Sequence, residues 1–354
     1  MAADLTLLAL PGDGIGPEIM DATLEVLDSV RSKIDRPVRV VCHDIGFAAL
    51  KEFGSTITTD VLELAKTTDG TILGPVSHNA YPPREEGGLN PSGVLRRELD
   101  LFANIRPART WDGIAAPISE PVDLVVVREN LEGFYADRNM HEGPGEFMPV
   151  PGVALAMRRI TEHASRRIAK AGFQIASKRP AKRVAIIHKA NVMRLSDGLF
   201  LDTVRNVAKD FPDIEYEEVL VDAAAALLVR DPARFDTIIT TNMFGDILSD
   251  LASELSGGLG MAGSLNAGGH HAAAQAQHGS APDIAGRDLA NPTSLILSLS
   301  MLLRHLGEEV AATSIDIAIG ESLSSPNTRT RDVGGKLGTK AFVSELTSKI
   351  RNST

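Results

Sequence analysis

The chain contains 354 residues, 43% of them hydrophobic, which is enough to bury a substantial core in one large or two moderate domains. Acidic residues outnumber basic residues by 46 to 36, and the net charge of −10 argues against binding to a nucleic-acid backbone. The single cysteine, Cys42, excludes an internal disulfide and a zinc site built from several cysteines.

Short apolar runs alternate with segments of helical periodicity along the chain, which predicts the α/β class. A first strand is predicted over 5–10, followed by a helix from about residue 17 with an apolar stripe at Ile19, Thr23, Val26, Val30 and Ile34. Further strands are predicted at 38–41, 71–73, 124–127, 184–187 and 237–240, and further helices near 153–171, 196–209, 245–256 and 292–306.

Two segments interrupt this alternation. Residues 139–151 are rich in Gly and Pro and are interpreted as an arm or clasp, and residues 259–286, rich in Gly, Ala and His, as a cofactor loop. The adjacent His270 and His271 are interpreted as loop residues rather than metal ligands. No apolar stretch is long enough to cross a bilayer and the start lacks a signal-peptide pattern, so we expect a cytoplasmic protein without a membrane partner.

Residues 11–18, PGDGIGPE, place three glycines between the first strand and the first helix. The G-x-G-x-x-G spacing of Rossmann dinucleotide-binding folds is absent. A glycine-rich turn alone is weak evidence for any nucleotide.

Arginines follow in VLRRELDLFANIRP, which holds Arg96, Arg97 and Arg106, and in DLVVVREN, which ends a strand at Arg128. Each taken alone is typical of a surface salt bridge. Three arginines that converge would instead grip a di- or tricarboxylate, because the planar guanidinium binds carboxylates with two hydrogen bonds.

Tyr135 ends RENLEGFY and Lys189 follows the strand RVAIIHK. As a pair they suit acid–base chemistry, with Lys189 taking the proton of a substrate hydroxyl and Tyr135 protonating an enolate carbon. Individually, an exposed lysine and a half-buried tyrosine are the commoner situation.

Asp246 and Asp250 lie four residues apart on one face of a helix that follows a buried strand. Such pairs are usually a solvated helix surface. Because ligands bind at strand ends in open α/β sheets, these two carboxylates with a third such as Asp222 are candidate ligands for Mg²⁺ or Mn²⁺.

Residues 278–286, HGSAPDIAG, contain Asp283, whose carboxylate suits a ribose diol and would repel a 2′-phosphate. This segment therefore favours NAD over NADP.

Six motifs together resemble the β-decarboxylating dehydrogenases, the family of isocitrate, homoisocitrate, 3-isopropylmalate and tartrate/D-malate dehydrogenases. They occupy residues 11–18, 95–107, 128–135, 188–193, 242–250 and 278–286. The resemblance implies a two-domain α/β fold with a large mixed sheet, unlike the Rossmann fold, and an active site in the cleft between the domains. The implied cofactor-side domain is 1–99 plus 255–354, and the implied central domain for substrate, metal and dimerisation is 100–254, with a clasp near 139–152.

The resemblance also implies residue roles. Arg96, Arg106 and Arg128 form the carboxylate clamp, and Tyr135 and Lys189 the acid–base pair. The remaining implied ligands are Asn90, Ser92 and Asn191 for substrate, Asp222, Asp246 and Asp250 for Mg²⁺ or Mn²⁺, and Ile15, His278, Gly279, Ser280, Ala281, Asp283, Ile284 and Asn291 for NAD. In this family Lys189 and Asp222 would reach the site from the second subunit of a homodimer.

The implied reaction is NAD-dependent oxidative decarboxylation of a 3-substituted malate. Hydride leaves C2 as the hydroxyl loses its proton, the 3-carboxylate leaves as CO₂, and the enolate is protonated. Isopropylmalate enzymes typically carry two leucines where this chain has Ser92 and Gly93, and isocitrate enzymes carry a serine and an asparagine that match Asn90 and Ser92 in swapped order. We therefore favour an isocitrate- or homoisocitrate-like substrate.

Several alternatives stay open. Chain length and HGSAPDIAG equally resemble 3-isopropylmalate dehydrogenase, and D-malate or tartrate remains a candidate substrate. A non-catalytic regulatory subunit is a different class of function, but such subunits usually lose the tyrosine, the lysine or an aspartate, all of which are present here. A nucleic-acid-binding role would need a basic face, which the sequence lacks.

Overall fold

The computed structural model describes residues 4–135 and 145–352. Its centre is a mixed ten-stranded sheet in the order β2-β1-β3-β12-β11-β4-β5-β10-β8-β9. The strands of this sheet are β1 Leu5–Leu10, β2 Val38–Cys42, β3 Gly70–Leu73, β4 Ala103–Arg109, β5 Asp123–Glu129, β8 Arg183–His188, β9 Glu215–Leu220, β10 Thr237–Thr240, β11 Leu265–Ala267 and β12 Ala272–Gln275. A separate hairpin consists of β6 Glu146–Val150 and β7 Val153–Ala156.

Helices cover both faces of the sheet. They are α1 Gly16–Val30, α2 Phe47–Phe53, α3 Thr59–Thr67, α4 Pro91–Glu98, α5 Glu162–Lys178, α6 Ser196–Ala208, α7 Val221–Arg230, α8 Asn242–Ser256, α9 Thr293–His305, α10 Glu309–Leu323 and α11 Thr339–Asn352. The large mixed sheet and the α/β class are as the sequence predicts.

The sheet joins two groups of strands. β2, β1, β3, β12 and β11 come from the two ends of the chain, and β4, β5, β10, β8 and β9 come from its middle. The groups meet where β11 pairs antiparallel with β4, at Leu265 opposite Ile105. Residues from both ends and from the middle of the chain are therefore brought to one place.

Apolar side chains alternate between the two faces along the central strands. In β5, Val125 and Val127 pack with α5 and α6, whereas Leu124 and Val126 pack with α7 and α8. In β1, Leu7 faces a core shared with α1, α9, α10 and α11, while Leu8 faces α3 and α4. Strands buried on both faces read as continuous apolar runs, which is why these strands were recognisable in the sequence.

The predicted strands are confirmed with bounds within two residues, and so are the helices at 196–209, 292–306 and from about residue 17. The helix predicted at 245–256 begins three residues earlier, at Asn242.

The helix predicted near 153–171 is wrong. Residues Val153–Ala156 form a strand, and the helix begins only at Glu162. Gly152 has φ +82°, which permits the tight turn of the hairpin, and the Thr161 side chain accepts a hydrogen bond from the backbone N–H of Ala164 and so caps the helix. Of the segment 139–151, residues 139–144 lie outside the described residues.

The segment 259–286 is not a simple loop, because it contains β11 and β12. Among the residues that the structure describes, no helix has the length and apolar content needed to span a bilayer.

Candidate active site

A cavity of about 350 Å³ lies where the two groups of strands meet, with walls from α4, β4, β5, β12 and α8. Many of the residues predicted from the sequence line it, namely Asn90, Ser92, Arg96, Arg106, Arg128, Tyr135, Asp246, His278 and Gly279. Motifs that are widely separated in the sequence therefore share one cavity, as expected of an active site.

Helix α4 forms one wall. The Asn90 side-chain oxygen accepts a hydrogen bond from the backbone N–H of Gly93 at 3.3 Å and so caps the helix. On the same helix, Ser92 Oγ and Arg96 Nη2 both donate to Oε1 of Gln275, at 3.1 and 3.2 Å. Gln275 at the end of β12 therefore fixes two of the predicted substrate ligands.

Two glutamines in this cavity were not predicted from the sequence. Gln275 holds Ser92 and Arg96, and Gln277 Nε2 donates to Asp250 Oδ1 at 3.2 Å and to Ser253 Oγ at 2.9 Å. The signal that could have found them is the run AAAQAQ, in which they are the polar positions immediately before the 278–286 motif.

Arg106 and Arg128 reach the cavity from β4 and β5 with almost fully buried side chains. Arg106 Nη1 lies 3.0 Å from Asp250 Oδ1 and 3.4 Å from Asp246 Oδ1, and Arg128 Nη1 is bonded directly to Asp246. Arg128 also donates to the Asn242 side-chain oxygen from Nε and Nη2, at 3.1 and 2.6 Å. The two arginines are thus held by the helix that carries the candidate metal ligands.

Helix α8 approaches β5 closely because residue 245 is a glycine. A Cβ at Gly245 would lie 2.7 Å from the Cβ of Arg128, which is impossible without moving the helix. The glycine therefore sets the distance between Arg128 and Asp246.

The charges in this cluster depend on one another. Burial and the neighbouring Arg128 lower the pKa of Arg106 to about 10, and Asp246 and Asp250 only partly offset this. Burial acts to raise the pKa of Asp246, but Arg128, Arg106 and the Tyr135 hydrogen bond outweigh it and the pKa is lowered. Asp246 is consequently held as a carboxylate.

Tyr135 lies on the turn after β5, and its hydroxyl donates to Asp246 Oδ2 at 3.1 Å. The guanidinium carbon of Arg128 lies 5.6 Å from the centre of the tyrosine ring. The phenol is therefore oriented beside both the arginine and the carboxylate that line the cavity.

The expected nucleotide segment meets the glycine-rich turn of residues 11–18. The backbone N–H of Ile15 donates to the Ser280 carbonyl at 2.8 Å, and the hydroxyls of Ser280 and Ser77 lie 2.7 Å apart. His278 Nε2 is buried without a hydrogen-bond partner among the described residues, and burial lowers the pKa of this imidazole. An uncharged ring with a free nitrogen beside the cavity suits an uncharged or donor group of a ligand.

Ala281, Asp283 and Asn291 are also predicted nucleotide ligands. Ala281 has φ +36° and its carbonyl accepts from the Ile284 N–H at 3.2 Å, so the chain turns here and leaves Asp283 exposed. Asn291 is nearly buried, and its Nδ2 donates to Asp332 Oδ2 at 2.8 Å. Asp283 is thus accessible to a ligand, whereas Asn291 is engaged within the protein.

Lys189, Asn191 and Asp222 do not line the cavity of their own chain. Lys189 Nζ bonds to Asp222, and this bond lowers the pKa of the carboxyl. Asn191 is exposed. Within residues 4–135 and 145–352 no group of three or more His, Cys, Asp or Glu side chains is arranged to hold a metal ion.

Two of the predicted metal ligands nonetheless lie together beside the cavity. Oxygens of Asp246 and Asp250 lie close to the same nitrogen of Arg106, so a positive group already bridges the two carboxylates. Carboxylate oxygens are the ligands that Mg²⁺ and Mn²⁺ prefer. The donor set therefore fits such an ion, provided that further oxygens come from outside this cavity's own wall.

Comparisons with known proteins find relatives that match almost the whole chain. The family model described as isocitrate/isopropylmalate dehydrogenase matches residues 6–350. A 3-isopropylmalate dehydrogenase from Archaeoglobus fulgidus is 41% identical over 344 residues, which is 97% of this chain and 99% of that protein. An isocitrate/homoisocitrate dehydrogenase from Thermus thermophilus is also 41% identical, over 97% of this chain and 98% of that protein.

Among solved structures, an isocitrate dehydrogenase from Methylococcus capsulatus superposes with a TM-score of 0.88 at 36% identity, covering 98% of this chain and 99% of that one. The fold is thus shared along essentially the full length, while the substrates in the relatives' names differ.

Proposed function

Because this chain belongs to the isocitrate/isopropylmalate dehydrogenase family, we propose that it oxidises and decarboxylates a 3-substituted malate with NAD⁺ and Mg²⁺ or Mn²⁺. The observation that carries the proposal is the cluster of Arg96, Arg106, Arg128, Tyr135 and Asp246 around one cavity. It offers three cations for the substrate carboxylates and a phenol for proton transfer.

The arginines bind and orient the substrate. Arg106 and Arg128 are buried and held in place, so little conformational freedom is lost when carboxylates replace their present partners. Tyr135 is positioned by Asp246 and delivers a proton to the enolate carbon after CO₂ has left. Lys189 of a second copy receives the proton of the C2 hydroxyl.

A bound NAD⁺ and a bound divalent cation would complete the chemistry. NAD⁺, when bound, accepts the hydride from C2, and a divalent cation, when bound, stabilises negative charge on the C2 oxygen. Asp246 and Asp250 would hold the cation, together with Asp222 of a second copy. The segment from His278 to Ile284, with Ile15 and Asn291, would hold NAD⁺, and the exposed Asp283 favours a ribose diol over a 2′-phosphate.

A homodimer accounts for the position of Lys189 and Asp222. Both lie outside the cavity of their own chain, paired with each other at an exposed position. Helix α7, which carries Asp222, exposes Ala223, Ala226 and Val229, and the adjoining α8 exposes Ile247. An apolar face beside catalytic residues suits an interface between two copies.

The hairpin of β6 and β7 supports the same proposal. Its large apolar side chains Phe147, Met148, Val153 and Leu155 are exposed. We propose that this hairpin belongs to the clasp, and that the domain boundaries lie near residues 99 and 254 as the resemblance implies.

The C3 side of the substrate is proposed to be polar. Ser92 and Gln275 present polar groups beside Arg96. Isopropylmalate enzymes typically carry a pair of leucines at this wall, where this chain has Ser92 and Gly93. This favours isocitrate or homoisocitrate. 3-Isopropylmalate is kept as the second candidate because of the archaeal relative's name, and D-malate and tartrate as smaller candidates.

The test is NADH formation with Mn²⁺ and NAD⁺ on D-isocitrate, homoisocitrate, 3-isopropylmalate, D-malate and tartrate in parallel. The expected result is the highest kcat/KM on isocitrate or homoisocitrate. A clear preference for 3-isopropylmalate would contradict the polar-wall argument, and no turnover on any substrate with NAD⁺ or NADP⁺ would favour a regulatory subunit.

A further inference from the structure

A buried ion pair joins Arg158, in the segment before α5, to Asp197 in the first turn of α6. The Arg158 side chain is 8% exposed and that of Asp197 is 0% exposed, and Nη1 lies 2.5 Å from Oδ1. Two charges are costly to remove from water, so a buried pair is weak evidence for stability.

On one side the pair fixes the chain at Lys189. The second oxygen of Asp197 accepts a hydrogen bond from the backbone N–H of Lys189 at 2.5 Å. Arg158 Nη1 also donates to the Ser196 hydroxyl at 2.9 Å. The path of the chain from β8 to α6, and with it the start of the Lys189 side chain, therefore depends on this guanidinium.

On the other side Arg158 contacts the elements of the cavity. Its Nη2 donates at 3.0 Å to Oγ1 of Thr241, the residue that precedes α8. Its guanidinium carbon lies 5.5 Å from the ring of Phe244 in α8 and 5.9 Å from that of Phe134, the neighbour of Tyr135. Cations in this range of an aromatic ring are attracted to it.

We propose that Arg158 is a positioning residue that joins the two active sites of a dimer. This inference rests on the proposed function, in which Tyr135 and Asp246 act in their own chain's site and Lys189 in that of the second copy. Arg158 does not line the cavity and so acts through these residues. The guanidinium of Arg158 therefore positions residues that support both active sites.

The first experiment separates positioning from folding. Arg158→Met is expected to lower kcat about 100-fold, since a displacement of about 1 Å in catalytic groups has effects of this size. It also leaves the Asp197 carboxylate buried without its cation and so destabilises the fold. The double variant Arg158→Met/Asp197→Asn removes that charge, and its urea midpoint is expected to recover while kcat stays low.

Arg166→Met is the matched control, because Arg166 is an exposed arginine of α5 with a carboxylate partner four residues away. It should match the wild type in kcat and in stability. Recovery of kcat together with stability in the double variant would show that Arg158 has only a structural role and would overturn the inference.

The second experiment uses mixed dimers with one working site. One chain carries Lys189→Ala and supplies Tyr135, and the other carries Tyr135→Phe and supplies Lys189. Arg158→Met is then added to either chain. The inference predicts at least a tenfold loss of kcat in both placements, because Arg158 supports Tyr135 in one chain and Lys189 in the other.

The outcomes are distinguishable. An inactive parent mixed dimer, beside an active wild type, would contradict the shared site and with it the link between sites. An active parent that loses activity in one placement only, or in neither, would contradict the link while leaving the proposed function intact.

Discussion

Among individual residues, Asp246 contacts three others that line the cavity. It accepts from Tyr135, pairs with Arg128 and lies 3.4 Å from Arg106. Because these partners overcome the effect of burial on its pKa, Asp246 stays ionised in the absence of any other cation. The orientation of the tyrosine therefore depends on this carboxylate, which we propose also binds the metal ion.

Asp246→Asn is expected to abolish metal-dependent turnover while the chain stays folded. An amide oxygen is a poorer ligand for a hard cation, and the change removes the negative charge that faces Arg128. Mn²⁺ binding by calorimetry should weaken at least about tenfold. Glu254→Gln, an exposed change on the same helix, is the control. Full activity in Asp246→Asn would show that the metal assignment is wrong.

Tyr135→Phe is expected to lower kcat by about 100-fold with little change in KM for the substrate. The arginine clamp is left intact, so only the proton donor is lost. Steady-state kinetics measure both constants, and Tyr216→Phe, an exposed tyrosine that packs edge-on against Phe173, is the control. A similar loss in both variants would argue against a specific role for Tyr135.

Single residues were predicted from the sequence where a motif isolates them. Arg106 and Arg128 lie on strands, Tyr135 on the turn after β5 and Asp246 on α8, and the structure places them together. Gln275 and Gln277 could not be predicted in the same way. Their importance comes from the pairing of β12 beside β3, a contact between residues far apart in the chain.

Among the elements, the turn after β5 depends on a buried carboxyl. Both oxygens of Glu129 accept backbone N–H groups, from Leu131 and Glu132, at 2.8 Å. Burial raises the pKa of Glu129 from 4.5 to about 7, in spite of these hydrogen bonds. The folded state therefore binds this proton more tightly than the unfolded state does.

Glu129 makes the stability of the protein depend on pH. The contribution of Glu129 to stability is complete below about pH 4.5 and is lost as the pH rises through about 7. Between about pH 5 and pH 8 the wild type should therefore lose unfolding free energy that the Glu129→Gln variant does not lose. The expected difference between the two proteins is up to roughly 3 kcal/mol. Urea unfolding across this range measures it, with the exposed Glu162→Gln as control. An unchanged pH dependence in Glu129→Gln would contradict the prediction.

Elements were predicted well where burial is two-sided and poorly where it is not. The central strands form apolar runs, but Val153–Ala156 is an exposed hairpin strand whose apolar residues also fit the start of a helix. β11 and β12 are short, and β12 is rich in alanine, which has little preference for strands. Their pairing is decided by neighbouring strands, so local sequence does not predict it.

In the molecule as a whole, we propose that a second copy binds at the exposed apolar face of α7 and α8. Ala226→Glu places a charge in the middle of this face and is expected to shift the protein from dimer to monomer in light scattering. Activity should fall with it, because each site would lose Lys189. Ala341→Glu, on an exposed face of α11, is the control. A monomeric variant with full activity would contradict the shared site.

The overall fold was predictable from the order of six motifs rather than from periodicity alone. Periodicity located strands and helices but could not give the strand order, in which β11 and β12 lie between β3 and β4. Lys189 and Asp222 lie outside the cavity of their own chain, and their expected role in the site of a second copy came from the family resemblance rather than from periodicity.

We propose that oxidation and decarboxylation occur in one turnover. The most direct measurement is CO₂ and NADH released in the same reaction, with NAD⁺, Mn²⁺ and the preferred substrate of the panel. We predict one CO₂ for each NADH, and loss of both in Asp246→Asn. NADH formed without CO₂ would show a simple hydroxy-acid dehydrogenase and would contradict the proposed function.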